Sequence, residues 1–268
     1  MRPVADTLIA EMGTLAGLVR RRDPDRFFTA LFAPAAKRDA LLVLYALNDE
    51  LARATEIVSQ PMLALIRLQW WREVVEGMPK RHAIATPLTA AIEEGALARP
   101  DLLALIDARE AEADPAFATV EAWRDWLMAG AGGVAVAAAH ALGARDAERC
   151  RPYGAAYGAA GVLRRARSQA RAGRVRLPMD ALSAHGFVRE AVTADPEAPR
   201  LRGVLRDLAA EARAWLPARR PRLPREAVAS ALPGTLARRD LAQPDLPAMP
   251  RGIVDRLAVI RAAITGRV

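Results

Sequence analysis

The sequence contains few cysteines, lysines and aromatic residues, and each of these low counts argues against a class of protein. Cys150 is the one cysteine in 268 residues, which excludes an intramolecular disulfide and a cysteine-based metal cluster and suits a reducing compartment. Aromatic residues make up 5%, and no basic stretch has the interleaved aromatics that bind single-stranded nucleic acid. Lysine occurs only at positions 37 and 80, so arginine carries the net charge of +8. We expect no nucleic-acid partner, and anionic lipid head groups or a diphosphate suit this charge equally well.

Long apolar runs and strand-forming runs are also missing. The most membrane-like stretch, 126–143, is rich in alanine and glycine and is interrupted by His140, so it predicts a core helix in which His140 is packed and hydrogen-bonded. The N-terminal segment has acidic residues within its apolar pattern and lacks a signal-peptide core. Alanine, leucine and arginine dominate and favour helix. The composition therefore predicts an all-α protein.

Apolar residues at helical spacing, with breaks at proline and glycine, place the helices. They are predicted near residues 5–20, 27–32, 38–57, 61–76, 87–98, 100–113, 120–142, 146–170, 187–193, 197–216, 225–243 and 250–265. Small residues at 154–156 and 158–161 predict the close approach of another helix. The prolines between 217 and 224 mark a surface loop, because the helices that follow are too few to bury their own faces. We therefore expect one helical domain over residues 1–268.

Three segments resemble the squalene/phytoene synthase family in order and spacing. They are DRFFTALFAPAAKRDALLVLYALNDELARATEIVSQP (25–61), IRLQWWREVVEG (66–77) and GRVRLPMDALSAHG (173–186). The resemblance implies an isoprenoid-synthase fold, a single-domain helical bundle. It also implies two aspartate-rich motifs on facing helices, which in that family hold magnesium ions that ionise a prenyl diphosphate.

The positions that the resemblance assigns to the metal ligands have lost most of their carboxylates. The first motif reads Ala52, Arg53 and Glu56 here, and the second reads Arg165 and Gln169. Only Glu56 keeps a carboxylate, and a fixed arginine charge opposes a magnesium ion. Magnesium-dependent chemistry is therefore not expected, and neither is a cofactor.

A retained scaffold without metal ligands is similar to the family branch that contains the respiratory complex I assembly factor. The segments 48–52, 67–71 and 177–180 fit that branch. The resemblance implies a non-catalytic protein whose partner is a complex I subunit or assembly intermediate, located in the cytoplasm or peripherally at the inner membrane. The alternative is a magnesium-dependent prenyl transferase that condenses two prenyl diphosphates head-to-head. It would use Glu56 with Glu50, Asp107 or Glu110 as metal ligands.

Eight further residues are candidates for a retained pocket or an anion site, with an anionic lipid or a prenyl compound as the ligand. They are Tyr45, Asn48, Glu50, Arg67, Gln69, Trp70, Arg164 and Arg174. Each group has a structural alternative. The adjacent tryptophans at 70 and 71 would divide between core and interface, and the polar residues at 48 and 50 would form a buried hydrogen-bond network. The arginines would form surface salt bridges or a solvated basic face.

Overall fold

The computed structural model describes residues 13–56, 61–110, 117–246 and 249–268. Within these ranges there is no strand, and the one β-type pairing is an isolated bridge between Arg222 and Arg267. The prediction of an all-α fold is confirmed.

The helices are numbered in chain order. They are α1 (described over 13–22), α2 (Pro24–Ala30), α3 (Ala35–Glu56), α4 (Pro61–Glu76), α5 (Ala85–Glu93), α6 (Arg99–Glu110), α7 (Val120–Ala129), α8 (Ala131–Leu142), α9 (Arg151–Arg171), α10 (Met179–Ala184), α11 (Arg189–Ala194), α12 (Leu201–Ala214), α13 (Arg225–Ala231), α14 (Pro233–Asp240) and α15 (Ile253–Thr265). A 3₁₀ turn, Ala147–Cys150, precedes α9.

Two predicted helices are interrupted. The helix expected over 120–142 breaks at Gly130, whose ψ of −86° departs from helical geometry and separates α7 from α8. The helix expected over 225–243 breaks before Pro233, which has no N–H for the preceding turn. Pro178, in turn, precedes the short helix α10, which the periodicity did not reveal.

Helix α9 lies at the centre of the bundle and packs against α7, α8, α12 and α14. Its glycines set the distance to α8. A Cβ on Gly154 would overlap the carbonyl oxygen of Ala131 and lie 2.7 Å from the Cβ of Ala135, and a Cβ on Gly158 would lie 2.5 Å from the Cβ of Ala131. The predicted close approach of a helix to residues 154–161 is therefore confirmed, and α8 is that helix.

The apolar core forms two clusters that share α8. One lies among α3–α6 and includes Val134 and Ala138, whereas the other surrounds α9 and includes Ala135 and Ala139. Helix α8 contributes adjacent faces to the two clusters and so joins them within the described part of the chain.

The segment Val120–Leu142 is long and apolar enough to cross a membrane, but 61% of its most apolar window is buried inside the fold. Contacts of α8 with α3 and α9 account for that burial. His140 is the exception. Its side chain is exposed, and its Nδ1 lies 2.7 Å from Oδ2 of Asp101. The expected hydrogen bond is present, but the prediction that His140 is packed in the core is wrong, because its position on α8 faces outward.

Candidate functional site

A cleft of about 1070 Å³ is lined by α3 and α9, the two helices on which the family resemblance places the metal motifs. Ala52 lines it from α3, and Arg164 and Arg165 line it from α9. Asn48 lies one turn before Ala52 on the same helix and also faces the cleft. The structure therefore brings one position from each degenerate motif to a common space.

Part of the cleft wall is apolar. Phe27, Phe28, Trp126, Leu236 and Val259 contribute to it from α2, α7, α14 and α15. Such a wall beside charged groups suits an amphiphile better than a fully polar ligand.

Charged residues dominate the rest of the wall. Within the part of the chain that the structure describes, the lining arginines are Arg20, Arg22, Arg26, Arg109, Arg164, Arg165, Arg176, Arg251 and Arg256. The lining acids are Asp23, Asp25, Asp49, Asp240 and Asp255. Nine arginines against five aspartates leave the cleft with an excess of positive charge.

Every one of those five aspartates bonds to an arginine. The pairs are Asp23 with Arg26 (2.9 Å), Asp49 with Arg22 (2.8 Å), Asp25 with Arg251 (2.8 Å), Asp240 with Arg251 (2.7 Å) and with Arg164 (3.1 Å), and Asp255 with Arg239 (2.7 Å). A carboxylate that already accepts from a guanidinium offers a poor site for a second cation. The acids of the cleft are therefore occupied by arginine.

Arg251 is the centre of a set of nearly buried pairings. Its Nη1 and Nη2 donate to Asp240, while Nε and Nη2 donate to Asp25. Burial opposes the charge of Arg251, but the hydrogen bonds to Asp240 and Asp25 outweigh it and raise its pKa. The Tyr157 hydroxyl donates to Asp25 Oδ2 at 3.1 Å, and burial followed by the nearby Asp23 and Asp25 charges raises the pKa of Tyr157.

Three arginines of the cleft are differently placed. Arg20, Arg165 and Arg256 are exposed at its wall, and among the described residues none of them has an ion-pair partner. Their guanidinium groups are therefore available to an anion from solution.

The candidate residues on α3 hold helices together. Asn48 is buried, and its Oδ1 accepts from Arg109 Nη2 at 3.1 Å, which ties α3 to α6. Glu50 accepts from Arg22 at 2.7 Å, the same nitrogen that donates to Asp49. Tyr45 is buried, and burial raises its pKa.

The remaining candidates do not line the cleft. Arg67 and Gln69 are exposed on α4, and Trp70 is half-buried there, with its ring edge-on to the buried Trp71. This division between core and surface is the structural alternative expected for the tryptophan pair. Arg174 is exposed after the end of α9.

Two degenerate motif positions do not line the cleft. Arg53 is half-buried on α3, and Gln169 is half-buried on α9, where its buried Oε1 has no hydrogen-bond partner among the described residues. Glu56 is the last residue of α3, and its side chain lies outside the described residues.

Sequence reasoning missed Arg251, Asp240 and Tyr157. Arg251 and Asp25 are 226 positions apart, so no local pattern could reveal their pairing. The C-terminal third showed only helical periodicity, although α14 and α15 form one wall of the cleft.

The residues present do not fit a magnesium ion. In the described ranges, no group of three or more His, Cys, Asp or Glu side chains is placed to hold a metal. The carboxylates of Glu50, Asp107 and Glu110 are paired as well, the first with Arg22 and the other two with Arg72.

Comparisons with known proteins identify the family and the fold. The family described as Squalene/phytoene synthase matches residues 19–255. Among curated proteins, the mouse and human proteins named "NADH dehydrogenase (ubiquinone) complex I, assembly factor 6" are 28% and 27% identical over 203 residues, which is 73% of this chain and 61% of each relative. The chain thus spans about three fifths, 61%, of the curated relatives that it matches.

Among solved structures, a dehydrosqualene synthase in complex with ligand superposes with a TM-score of 0.74 at 12% identity, covering 97% of both chains. The squalene synthase HpnC from Alicyclobacillus acidocaldarius superposes with a TM-score of 0.64 at 17% identity, covering 97% of this chain and 95% of that one. At these identities the likeness concerns the fold, and it bears out the helical bundle that the sequence predicts.

Proposed function

The chain belongs to the squalene/phytoene synthase family, and from this premise we propose that it is a non-catalytic member that acts in the assembly of respiratory complex I. The names of its curated relatives support the assembly role. Under this proposal its partner is a complex I subunit or an assembly intermediate, and the chain binds it while peripherally associated with the inner membrane.

The observation that carries the non-catalytic part is the set of ion pairs in the cleft. All five lining aspartates bond to arginine, and Arg165, which has no ion-pair partner among the described residues, stands where the resemblance expects an aspartate. A diphosphate leaves only when its developing charge is neutralised, and the family does this with magnesium. Arginine can bind a diphosphate, but it cannot supply the missing metal ligands. No cofactor is expected under this proposal.

The cleft itself supports binding of an amphiphile with an anionic head. Arg165, Arg20 and Arg256 would contact the head group, because they are exposed at the wall and lack ion-pair partners among the described residues. Phe27 and Phe28 would contact an apolar tail. Such a ligand, a lipid or a prenyl compound, would be retained without being converted.

The alternative, a magnesium-dependent prenyl transferase, has less support. It needs Glu50, Asp107 or Glu110 to bind metal beside Glu56, and each of the first three accepts from an arginine at 2.6–2.9 Å.

A deletion strain tests the assembly role. Loss of the chain is expected to reduce assembled complex I on native gels and NADH dehydrogenase activity, and the wild-type chain should restore both. An Arg165→Glu variant should restore them poorly if the anion site is needed. Arg145→Glu is the matched control, because Arg145 is exposed and does not line the cleft. Fully assembled complex I in the deletion strain would overturn the proposal.

The alternative is tested with purified protein, farnesyl or geranylgeranyl diphosphate and magnesium. No condensed product is expected. A product that is lost on Glu56→Ala would replace the proposed function by the transferase.

A further inference from the structure

Helix α15 carries two apolar stripes, and only one of them is covered by the protein. Val259 and Ala262 are buried against the bundle. On the opposite side, Ile253, Leu257 and Ile264 follow each other at i, i+4 and i+11, a spacing that keeps them on one face. They are 74%, 57% and 77% exposed. A soluble helix normally places polar residues on its outward face, so this stripe calls for a partner.

The charge around this stripe has one sign. Arg256 and Arg261 are exposed on α15, and the helix has a single acidic residue, Asp255. Asp255 does not face outward as a free charge, because it accepts from Arg239 at 2.7 Å and from the backbone N–H of Gly252 at 3.1 Å. The outward side of α15 is therefore apolar and cationic.

The stripe adjoins the arginine-lined cleft. Arg256 belongs to both, since it lines the cleft and lies on the outward side of α15. Met249, which precedes the helix, also lines the cleft and is 66% exposed. Whatever covers the stripe therefore stands next to the cleft.

We propose that Ile253, Leu257, Ile264, Arg256 and Arg261, here named the α15 face, dock onto an anionic lipid bilayer. A helix that lies in a membrane interface buries an apolar stripe at the acyl boundary and places arginines among anionic head groups. A second copy of the chain is a poorer occupant, because two paired stripes would bring the flanking arginines of both copies together. In the docked orientation Arg256, which also lines the cleft, lies next to the lipid from which an amphiphile would enter. The proposal rests on the proposed function for its setting at the inner membrane.

Vesicle sedimentation with the full chain tests the proposal. The wild-type protein is expected to sediment with phosphatidylcholine vesicles that contain phosphatidylserine, to do so less as salt rises, and to remain in solution with phosphatidylcholine alone. Leu257→Ser with Ile264→Ser should reduce partitioning by more than about tenfold, because two apolar side chains no longer enter the bilayer. Arg256→Gln and Arg261→Gln should each reduce it by about fivefold.

Helix α4 provides the matched control, since Met62 and Ile66 are 66% and 57% exposed there. Met62→Ser with Ile66→Ser removes similar exposed surface and should leave partitioning unchanged. All of these side chains are exposed, so the thermal midpoint of each variant should stay at that of the wild type.

Three results would overturn the proposal: no sedimentation with anionic vesicles, equal losses in the α4 and α15 variants, or a dimer in light scattering that the α15 substitutions dissociate. The assay contains no complex I. If the protein does not bind vesicles but the deletion strain assembles complex I poorly, only the proposal for the α15 face is refuted. If the protein binds vesicles but the deletion strain assembles complex I normally, only the assembly role is refuted.

Discussion

Replacing Arg251 by methionine is expected to be among the most damaging substitutions in the cleft. Arg251 lines the cleft and links Asp25 at the start of α2 to Asp240 at the end of α14. The side chains of Arg251, Asp25 and Asp240 are 14%, 13% and 11% exposed. Methionine retains much of the length and packing of the arginine stem but leaves both carboxylates without this partner.

The magnitude follows from burial. An exposed ion pair contributes at most about 1 kcal/mol, but removing one member of a buried pair costs about 3–5 kcal/mol because the other charge stays desolvated. Arg164 still donates to Asp240 at 3.1 Å and Tyr157 to Asp25 at 3.1 Å, which favours the lower part of this range. For a chain of this size, about 3 kcal/mol corresponds to a fall in the thermal midpoint of roughly 6–12 °C.

Thermal and urea unfolding of four proteins would measure it: the wild type, Arg251→Met, Arg251→Lys, and the double variant Arg251→Met with Asp25→Asn. The lysine variant should lie between wild type and methionine, because an ammonium group keeps the charge but cannot make paired bonds to two carboxylates. The double variant should recover part of the lost stability, since it removes the uncompensated charge of Asp25 while Asp240 keeps its bond from Arg164.

Two results would refute this reasoning. If Arg251→Met unfolds within about 1 kcal/mol of the wild type, the pairs behave as solvated surface contacts. If the double variant is no more stable than Arg251→Met, the loss comes from packing and not from buried charge.

Two further substitutions test the packing of α9 and the start of α15. Gly154→Ala should lower the free energy of unfolding in urea by about 3 kcal/mol, because its Cβ would overlap Ala131 and α8 must move away. Gly13→Ala, whose Cβ would have no described atom within 4 Å, should be neutral or stabilising. Equal midpoints of the two variants would argue against the close helix contact. Burial opposes ionisation of Asp255, but the hydrogen bonds from Arg239 and from the Gly252 N–H outweigh it and lower the Asp255 pKa. The contribution of Asp255 to the stability of the fold is therefore present at neutral pH and is lost as pH falls through that lowered pKa. Asp255→Ala should therefore cost about 1 kcal/mol at neutral pH, with the difference in thermal midpoint shrinking in acid, and a difference independent of pH would contradict the ionic origin.

Local sequence patterns were sufficient for much of the fold. Helical propensity and apolar spacing act over a few residues, so they predicted the long helices α3 and α4. The small residues of α9 predicted its close contact with α8, because only small side chains permit that approach. The substituted motif positions were also visible, since Ala52 and Arg165 follow recognisable segments. The break at Gly130 was not, because a glycine inside an apolar pattern is compatible with either a straight or an interrupted helix.

The pairing of charges was decided by the tertiary structure alone. The sequence shows an excess of arginine without indicating which guanidinium meets which carboxylate, and the contact between Arg251 and Asp25 spans 226 positions. Likewise, a motif residue can be placed on a helix, but whether it faces a cleft depends on the neighbouring helices. This is why Arg165 lines the cleft and Arg67 does not.

Helix α15 shows most simply what the sequence determines and what the tertiary structure decides. Its sequence contains two apolar stripes, one through Val259 and Ala262 and one through Leu257 and Ile264, and periodicity treats them alike. Packing against the bundle buries the first and leaves the second exposed. Periodicity determines that a helix has apolar faces, whereas the position of the other helices decides which face remains for a partner.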